Sequence, residues 1–146
     1  MKKFFFIGAC LVALLAIVLI FYAQDTSEIA QKMYRIGIPQ PPPSLVPALD
    51  GFKASMQQLG YVEGGNVAYT IIEEGATAEE TNARLSAFVE TRPDLILALG
   101  VNAARAAKDV TAQHGTSIPV LFSIVSDPVG NKLVADMRSS GNNLTG

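Results

Sequence analysis

The sequence predicts an α/β fold, a parallel-sheet sandwich with helices on both faces, preceded by an N-terminal hydrophobic helix. Three observations lead to this prediction. Strand-like segments alternate with segments of helical periodicity four times after residue 33. The short apolar run Asp94–Leu99 is typical of a strand that is covered on both faces. Phe4–Ala23 is an unbroken run of 20 uncharged residues. Regular alternation favours a parallel sheet because each right-handed crossover returns its helix to one side of the sheet.

The N-terminal segment has the composition of a membrane anchor. Phe4–Ala23 is long enough to cross a bilayer core of roughly 30 Å, whereas a cleaved signal has an apolar region of about 7–15 residues. Phe21 also stands where cleavage would require a small residue. We therefore expect residues 1–23 to be an uncleaved anchor, with a cleaved signal as the alternative. The lysines at positions 2 and 3 keep the start of the chain in the cytoplasm. The rest is then exported and membrane-anchored, or periplasmic after cleavage.

The single cysteine lies within the apolar segment, and a polar stretch separates this segment from the rest of the chain. Cys10 ends a segment, Ile7–Cys10, that is similar to a lipoprotein box, but the apolar run continues beyond it. We interpret Cys10 as a thiol inside the anchor, with lipidation as the alternative. One cysteine excludes an intramolecular disulfide. Residues 24–33 are predicted to be a linker, and residues 34–146 a single α/β domain.

The first half of this domain is predicted to contain two strands and one helix. Leu45, Leu49, Phe52, Met56 and Leu59 recur at steps of three and four, which is one face of a helix that ends at a glycine. A proline-rich segment that cannot extend a sheet precedes this helix and is predicted to be a stiff, extended loop. The predicted strands are Met33–Pro39 and Asn66–Glu73, with the loop at Gln40–Ser44.

The second half continues the alternation. Thr77 and Glu80 have the spacing of a capping box, which predicts a helix that opens at Thr77 and ends before Pro93. An apolar strand, an alanine-rich helix and another apolar strand follow, and Leu133, Val134 and Met137 predict a short fourth helix. The predicted segments are the strand Asp94–Leu99, the helix Ala103–Gln113, the strand Ile118–Val125 and a final loop at Ser139–Gly146.

Composition and motifs argue against several function classes. The net charge is −2 with no basic cluster, which argues against a nucleic-acid binder. The first strand is followed by Gln-Pro-Pro-Pro rather than a glycine-rich dinucleotide fingerprint, and neither a phosphate-binding loop nor a nucleophile elbow occurs. The chain has one histidine, which argues against a metal site built from histidines and against a Ser-His-Asp hydrolase. We therefore expect no enzyme activity, cofactor or metal.

The loops after the strands are the candidate binding region, because open parallel sheets bind ligands beyond the carboxyl ends of their strands. Asp127 follows a buried strand and could accept hydrogen bonds from a ligand amine or hydroxyl, or instead cap the next turn. Asn102 is predicted to cap the third helix, whose first amides could bind a carboxylate. The predicted ligand-binding residues are Ser44, Gly100, Val101, Asn102, Ala103, Ser123, Ser126 and Asp127.

Other polar features have simpler interpretations. His114 is interpreted as a capping or surface residue at a helix C-terminus. The pairs Glu73-Glu74 and Glu79-Glu80 are interpreted as a solvated strand edge and a first helical turn, rather than a catalytic carboxylate pair. The glycosylation-type triplet at Asn143–Thr145 is interpreted as a chance match.

Four motifs, in order along residues 34–146, resemble the ABC transporter substrate-binding protein family of the tryptophan/tyrosine type. The first is Gly51-Phe52 with the turn L-G-Y-V-E-G at residues 59–64 and Asn66-Val67. The second is D-L-I-L-A-L-G at 94–100 with the alanine-rich helix after it. The third is I-P-V at 118–120 with D-P-V-G at 127–130, and the fourth is G-N-N-L-T-G at 141–146.

This resemblance implies a periplasmic-binding-protein-like fold, type I, with two α/β lobes and a ligand cleft between them. Residues 34–146 would be the N-terminal lobe, and the chain ends where the second lobe should begin, so weak binding by this lobe alone is expected. The implied function is to bind an amino acid or similar solute and to pass it to a membrane permease driven by an ATPase. An extracellular input domain of a membrane signalling protein is the alternative. An exported enzyme is disfavoured.

Overall fold

Five parallel strands form one sheet in residues 32–146, the part of the chain that the structure, a computed structural model, describes. The predicted anchor at residues 1–23 and most of the predicted linker lie outside the described residues. Among the described residues, no helix is both long and apolar enough to cross a bilayer. The spatial order is β2-β1-β3-β4-β5, and the strands are β1 (Tyr34–Pro39), β2 (Val67–Ile72), β3 (Leu95–Leu99), β4 (Val120–Ser123) and β5 (Leu144–Thr145).

Three α-helices and one short 3-10 helix connect these strands. Thr77 Oγ1 accepts a hydrogen bond from the backbone amide of Glu80 at 3.2 Å, which confirms that the second helix opens at Thr77. The Glu80 carboxylate accepts from the amide of Ala76 at 2.8 Å rather than from that of Thr77, so the predicted capping box is only half formed. Gly60, with φ of +90°, follows the first helix, as its predicted stop signal requires. The helices are a 3-10 turn at Pro43–Leu45, α1 (Val46–Gln58), α2 (Ala78–Glu90) and α3 (Val101–Gln113).

Helices cover both faces of the sheet, which confirms the predicted sandwich. Successive side chains of a strand point to opposite faces. Ile36, Ile38, Leu97 and Leu99 therefore pack with Leu49 of α1 on one face. The opposite face of β3 and β4 packs against α2 and α3 in a second cluster, which includes Leu85, Val89, Ile96, Ala98, Ala104, Ala107, Val110 and Val120.

The strand order contains one reversal that matters for function. The crossover from β1 through α1 places β2 on one side of β1, whereas β3 pairs with the other side of β1. The segments that follow β1 and β3 therefore leave the sheet towards opposite faces. Such a switch point leaves a crevice beyond the carboxyl ends of the strands.

The predicted fourth helix is wrong. Residues 128–138 form turns and bends, in which the amides of Leu133 and Val134 both bond to the carbonyl of Pro128. Lys132 has φ of +57°, a left-handed conformation that interrupts a right-handed helix. Leu133 is fully buried, whereas Met137 is 78% exposed, so the apolar spacing reflects one anchor residue rather than a helical face.

The ends of two other predicted segments also differ. The proline-rich loop is not extended throughout, because Pro43–Leu45 form a 3-10 turn after Pro42. The predicted final loop contains β5, whose Leu144 and Thr145 pair with Val120 and Leu121 of β4. A two-residue strand has no periodic signal of its own, so it exists only because β4 offers a free edge.

Asn143 fastens this last crossover to the domain. Its side-chain amide donates to Thr111 Oγ1 at 3.0 Å and to the carbonyl of Ile118 at 2.6 Å, and Thr111 is fully buried. The amide of Val120 donates in turn to the carbonyl of Asn143 at 2.9 Å. The side chain of the glycosylation-type triplet is thus used inside the fold, which agrees with its interpretation as a chance match.

Polar contacts also hold the amino-terminal edge of the sheet together at β1 and β3. Asp94 accepts from the backbone amide of Arg35 at 2.8 Å and pairs with Lys32 Nζ at 2.7 Å. The Lys32 contact, followed by the Arg35 amide, lowers the pKa of Asp94 below its usual 3.8. The Arg35 guanidinium donates to the carbonyls of Thr91 and Arg92, which follow α2 and have no partner within the helix.

We predict that Gly37→Ala destabilises the domain by about 1–3 kcal/mol, the usual cost of overpacking. A Cβ atom on Gly37 would overlap the ring of Phe88, which covers this point of β1. Urea unfolding followed by circular dichroism measures the effect. Gly51→Ala, in α1 with open space around it, is the matched control and should be neutral or stabilising. Gly37→Ala as stable as wild type would contradict the proposed packing.

We predict that Asp94→Asn removes part of the acid sensitivity of folding. Because the folded-state pKa of Asp94 is lowered, its contribution is present above the unfolded value of about 3.8 and is lost as pH falls through the folded value. The unfolding free energy of Asp94→Asn should therefore fall less steeply than that of wild type below about pH 4. Asp50→Asn, on the exposed side of α1, serves as the control. Parallel pH curves for wild type and Asp94→Asn would refute the expectation.

Candidate functional site: a cleft at the carboxyl edge of the sheet

A cleft of about 560 Å³ opens beyond the carboxyl ends of β1, β2 and β3, at the reversal of strand order. This volume lies within the roughly 300–1,000 Å³ that is typical of small-molecule sites. The position is the one that the rule for open α/β sheets selects. Sequence and topology therefore agree on which edge of the sheet carries the candidate site.

The floor and one wall of the cleft are apolar and stiff. The buried side chains of Ile72, Leu85 and Leu99 form part of the lining. Residues 39–43 line one side, and proline at four of these five positions restricts φ along the segment. This wall is held in shape before any ligand arrives, which lowers the ordering cost of binding.

The opposite side is the N-terminus of α3, and here one sequence prediction is wrong. The helix begins at Val101, so Asn102 lies in its first turn and is not its cap. The cap is Gly100, which has φ of +88° and provides no side-chain cap. Only glycine adopts this conformation without strain. The first amides of α3 consequently have no side-chain partner from the capping residue, and they border the cleft.

Backbone and side-chain hydrogen bonds join the loops after β1 and β2 across the cleft rim. Gln40 donates its backbone amide to the carbonyl of Ile72 at 2.9 Å, and its side-chain oxygen accepts from the amide of Glu74 at 3.0 Å. Thr81 accepts from the amide of Gly75 at 2.9 Å and donates to the carbonyl of Thr77 at 3.0 Å. These bonds fix the loops and leave the exposed amides of Asn82 and Asn102 beside the cleft.

Half of the predicted ligand-binding residues meet at this cleft. Gly100, Val101, Asn102 and Ala103 line it. The other four, Ser44, Ser123, Ser126 and Asp127, are not among the lining residues, and ligand contact by them stays a prediction.

Asp127 has a structural partner. Its Oδ1 accepts from the backbone amide of Gly130 at 2.7 Å, and the amide of Asn131 donates to its carbonyl at 3.0 Å. A Cβ on Gly130 would overlap the Asp127 carboxylate, so glycine allows this close approach. The arrangement is the turn cap that the sequence offered as the alternative to ligand contact.

Sequence reasoning missed several cleft residues, namely Gln40, Glu74, Thr81 and Asn82. Gln40 and Glu74 lie in the loops that the carboxyl-end rule had selected. Thr81 and Asn82 lie one turn into α2, and extending the rule to the first turns of the helices would have found them. Glu74 was interpreted as part of a solvated strand edge, because the sequence does not show that α3 faces it across a cleft.

A second cavity, of about 700 Å³, lies at the amino-terminal edge of the sheet, lined by Val89, Glu90, Arg92 and residues 114–119. His114 is the C-cap of α3, as interpreted from the sequence, and its Nε2 lies 2.5 Å from Ser86 Oγ on α2. This hydrogen bond joins the ends of two helices. We assign the cavity no ligand, because parallel sheets do not present their binding loops at this edge.

The model of a protein family described as ABC transporter substrate binding protein matches residues 36–146. The chain belongs to this family. A related protein, the tyrosine-binding protein of Clostridioides difficile strain R20291, is 32% identical over 119 residues, which is 80% of this chain and 33% of that protein. The chain therefore spans about a third of the length of this relative.

Solved structures share the fold. The ligand-free, open structure of a substrate-binding protein with adhesive properties from Clostridium difficile has a TM-score of 0.66 and 29% identity, covering 79% of this chain and 38% of that one. A conserved domain protein from Vibrio cholerae has a TM-score of 0.67 and 26% identity, covering 80% of this chain and 38% of that one. The structure of an ABC domain in complex with L-Trp from Streptococcus pneumoniae has a TM-score of 0.68 and 23% identity, covering 79% of this chain and 38% of that one. At this identity the similarity shows the fold alone. The family resemblance and the substrate-binding fold of residues 36–146 are thus confirmed.

We predict that Asp127→Ala lowers the unfolding free energy of the domain by about 1 kcal/mol, because the amide of Gly130 loses its acceptor. Asp127→Asn keeps an acceptor oxygen and should stay close to wild type. Thermal and urea unfolding of the two variants measure the difference. Equal stability of Asp127→Ala and wild type would show that the carboxylate is not needed by the turn.

Proposed function

We propose that the cleft binds an amino acid with an aromatic side chain, and that the protein delivers it to the permease of an ABC importer. One observation carries this proposal: in a member of the substrate-binding family, a cleft of ligand size lies at the switch point of the sheet. The relative that is named for binding tyrosine supports the ligand class. Delivery to a permease, and a position outside the cytoplasm, follow from the family and belong to the proposal.

The lining suits the two parts of such a ligand. An aromatic side chain would lie on the buried apolar floor of Ile72, Leu85 and Leu99 and against the proline wall, where it leaves water. Its carboxylate would face the first turn of α3, whose amides and dipole favour negative charge. The cleft offers shape and hydrogen-bond donors, which serve binding without chemical change.

An NMR titration tests the site. The ¹⁵N-labelled full chain, kept in mild detergent because residues 4–23 are apolar, is titrated with L-tyrosine, and glucose serves as a control solute. Amide signals of residues 99–103 and of the loops after β1 and β2 should shift with saturation. The amino-edge cavity at residues 114–119 is the internal control and should not respond. Saturable shifts confined to residues 114–119, or no saturable shift, would overturn the proposal.

We also predict that Asn102→Glu weakens tyrosine binding at least tenfold. The new carboxylate would stand beside the ligand carboxylate in the first turn of α3, where like charges repel. The same change favours the helix dipole by about 0.3–1 kcal/mol, so thermal stability should be kept or slightly raised. Asn102→Gln, without added charge, is the matched control. Unchanged affinity in a stable Asn102→Glu variant would exclude a carboxylate at the α3 N-terminus.

A further inference from the structure

We propose that Glu74 determines the specificity of the cleft by pairing with the ammonium group of the ligand. The substrate class is then the free amino acid, with its amine unmodified, and not an N-acylated amino acid or a carboxylic acid without an amine. This inference rests on the proposed function, since it names the chemistry that the same cleft selects. The sequence offers Asp127 as a candidate acceptor for a ligand amine or hydroxyl, with a turn cap as the alternative.

The charge distribution around the cleft supports Glu74. Among the described residues that line the cleft, Glu74 is the one charged side chain, and neither lysine nor arginine is present. The remaining polar side chains there are neutral amides and the hydroxyl of Thr81. A ligand cation would therefore meet one formal negative charge and no positive one among the lining side chains. Arg84, which approaches the Glu74 backbone from outside the lining, is paired with Glu73. An isolated anionic ligand would meet repulsion.

Neighbouring contacts leave the Glu74 carboxylate available. The ion pairs of the described residues involve Asp94, Glu63 and Glu73 as the acidic partners. Arg84 approaches Glu73 Oε2 at 3.5 Å and reaches only the backbone carbonyl of Glu74, at 3.4 Å. The Arg84 side chain is thus paired with the neighbouring Glu73, in an exposed contact. The backbone amide of Glu74 is meanwhile held by Gln40, which fixes the point from which the side chain extends.

The topology places Glu74 and α3 on either side of β1. Glu74 follows β2, α3 follows β3, and both strands pair with β1. Two strand spacings amount to roughly 9–10 Å between β2 and β3. The side chain of Glu74 and the backbone of an amino acid can bridge that gap, with the ammonium towards Glu74 and the carboxylate towards α3. Asp127 does not fit this role, because its Oδ1 accepts from the Gly130 amide and the residue is not part of the cleft lining.

The test compares three ligands that differ at the amine: L-tyrosine, N-acetyl-L-tyrosine and 3-(4-hydroxyphenyl)propanoate. Dissociation constants come from NMR or calorimetric titration of the full chain and two variants, Glu74→Gln and the matched control Glu79→Gln, at an exposed position of α2 outside the cleft lining. Wild type should bind L-tyrosine at least tenfold more tightly than either analogue. Glu74→Gln should remove most of this preference by weakening tyrosine binding about tenfold, whereas Glu79→Gln should change tyrosine binding less than twofold.

The outcomes separate this inference from the proposed function. If wild type and Glu74→Gln bind tyrosine with equal affinity, the role of Glu74 is overturned and the proposed function stands. The same holds if wild type binds tyrosine and N-acetyl-L-tyrosine with equal affinity. Absence of binding of all three ligands to wild type overturns the proposed function together with the inference. Unfolding curves of Glu74→Gln that match wild type establish that a lost affinity reflects the missing charge.

Discussion

The parallel pairing of β1 with a strand on each side is the constraint on which the structure depends. β1 is the central strand of the β2-β1-β3 unit, and Ile36, Gly37, Ile38 and Pro39 are all buried within it. Gly37 lacks a side chain, and Phe88 of α2 occupies the space that a Cβ would need. Because the chain returns to β1 from opposite sides, the segments after β1 and β3 diverge. The cleft at the carboxyl edge of the sheet follows from that divergence.

Most of the candidate site is therefore made from features that also build the fold. The floor consists of core side chains at the ends of β2 and β3 and of Leu85 on α2, and the wall is the proline-rich exit from β1. The α3 end is defined by the backbone conformation of Gly100. Few side chains are left for recognition, and the described residues around the cleft supply amides, one hydroxyl and one carboxylate. Such a lining is suited to holding a solute by shape and hydrogen bonds, in agreement with the substrate-binding family to which the chain belongs.

Two carboxylates show why residue type and position after a strand do not suffice to assign a role. Asp127 and Glu74 each follow a strand of the sheet, and both are exposed. Asp127 precedes Pro128 and a turn in which Gly130 offers its amide, so a local hydrogen bond takes one of its oxygens. Glu74 makes its fixed contact through the backbone, to a side chain 34 positions earlier in the chain. Local chemistry thus favours the structural role for the first residue and leaves the side chain of the second available.

The sequence alone determined the α/β alternation, the boundaries of α1 and α2 to within a few residues, the strands β1, β2 and β3, and the edge of the sheet at which the candidate cleft lies. These features depend on periodicity, capping and glycine stops, which are short-range signals that a single chain segment carries. Tertiary structure decided the rest. β5 exists through its pairing with β4, residues 128–138 follow the burial of Leu133 instead of a helical period, and α3 starts two residues early because Gly100 adopts a positive φ. The selection of Glu74 as a cleft residue likewise depends on which loops the strand order brings together, a long-range property that no local pattern encodes.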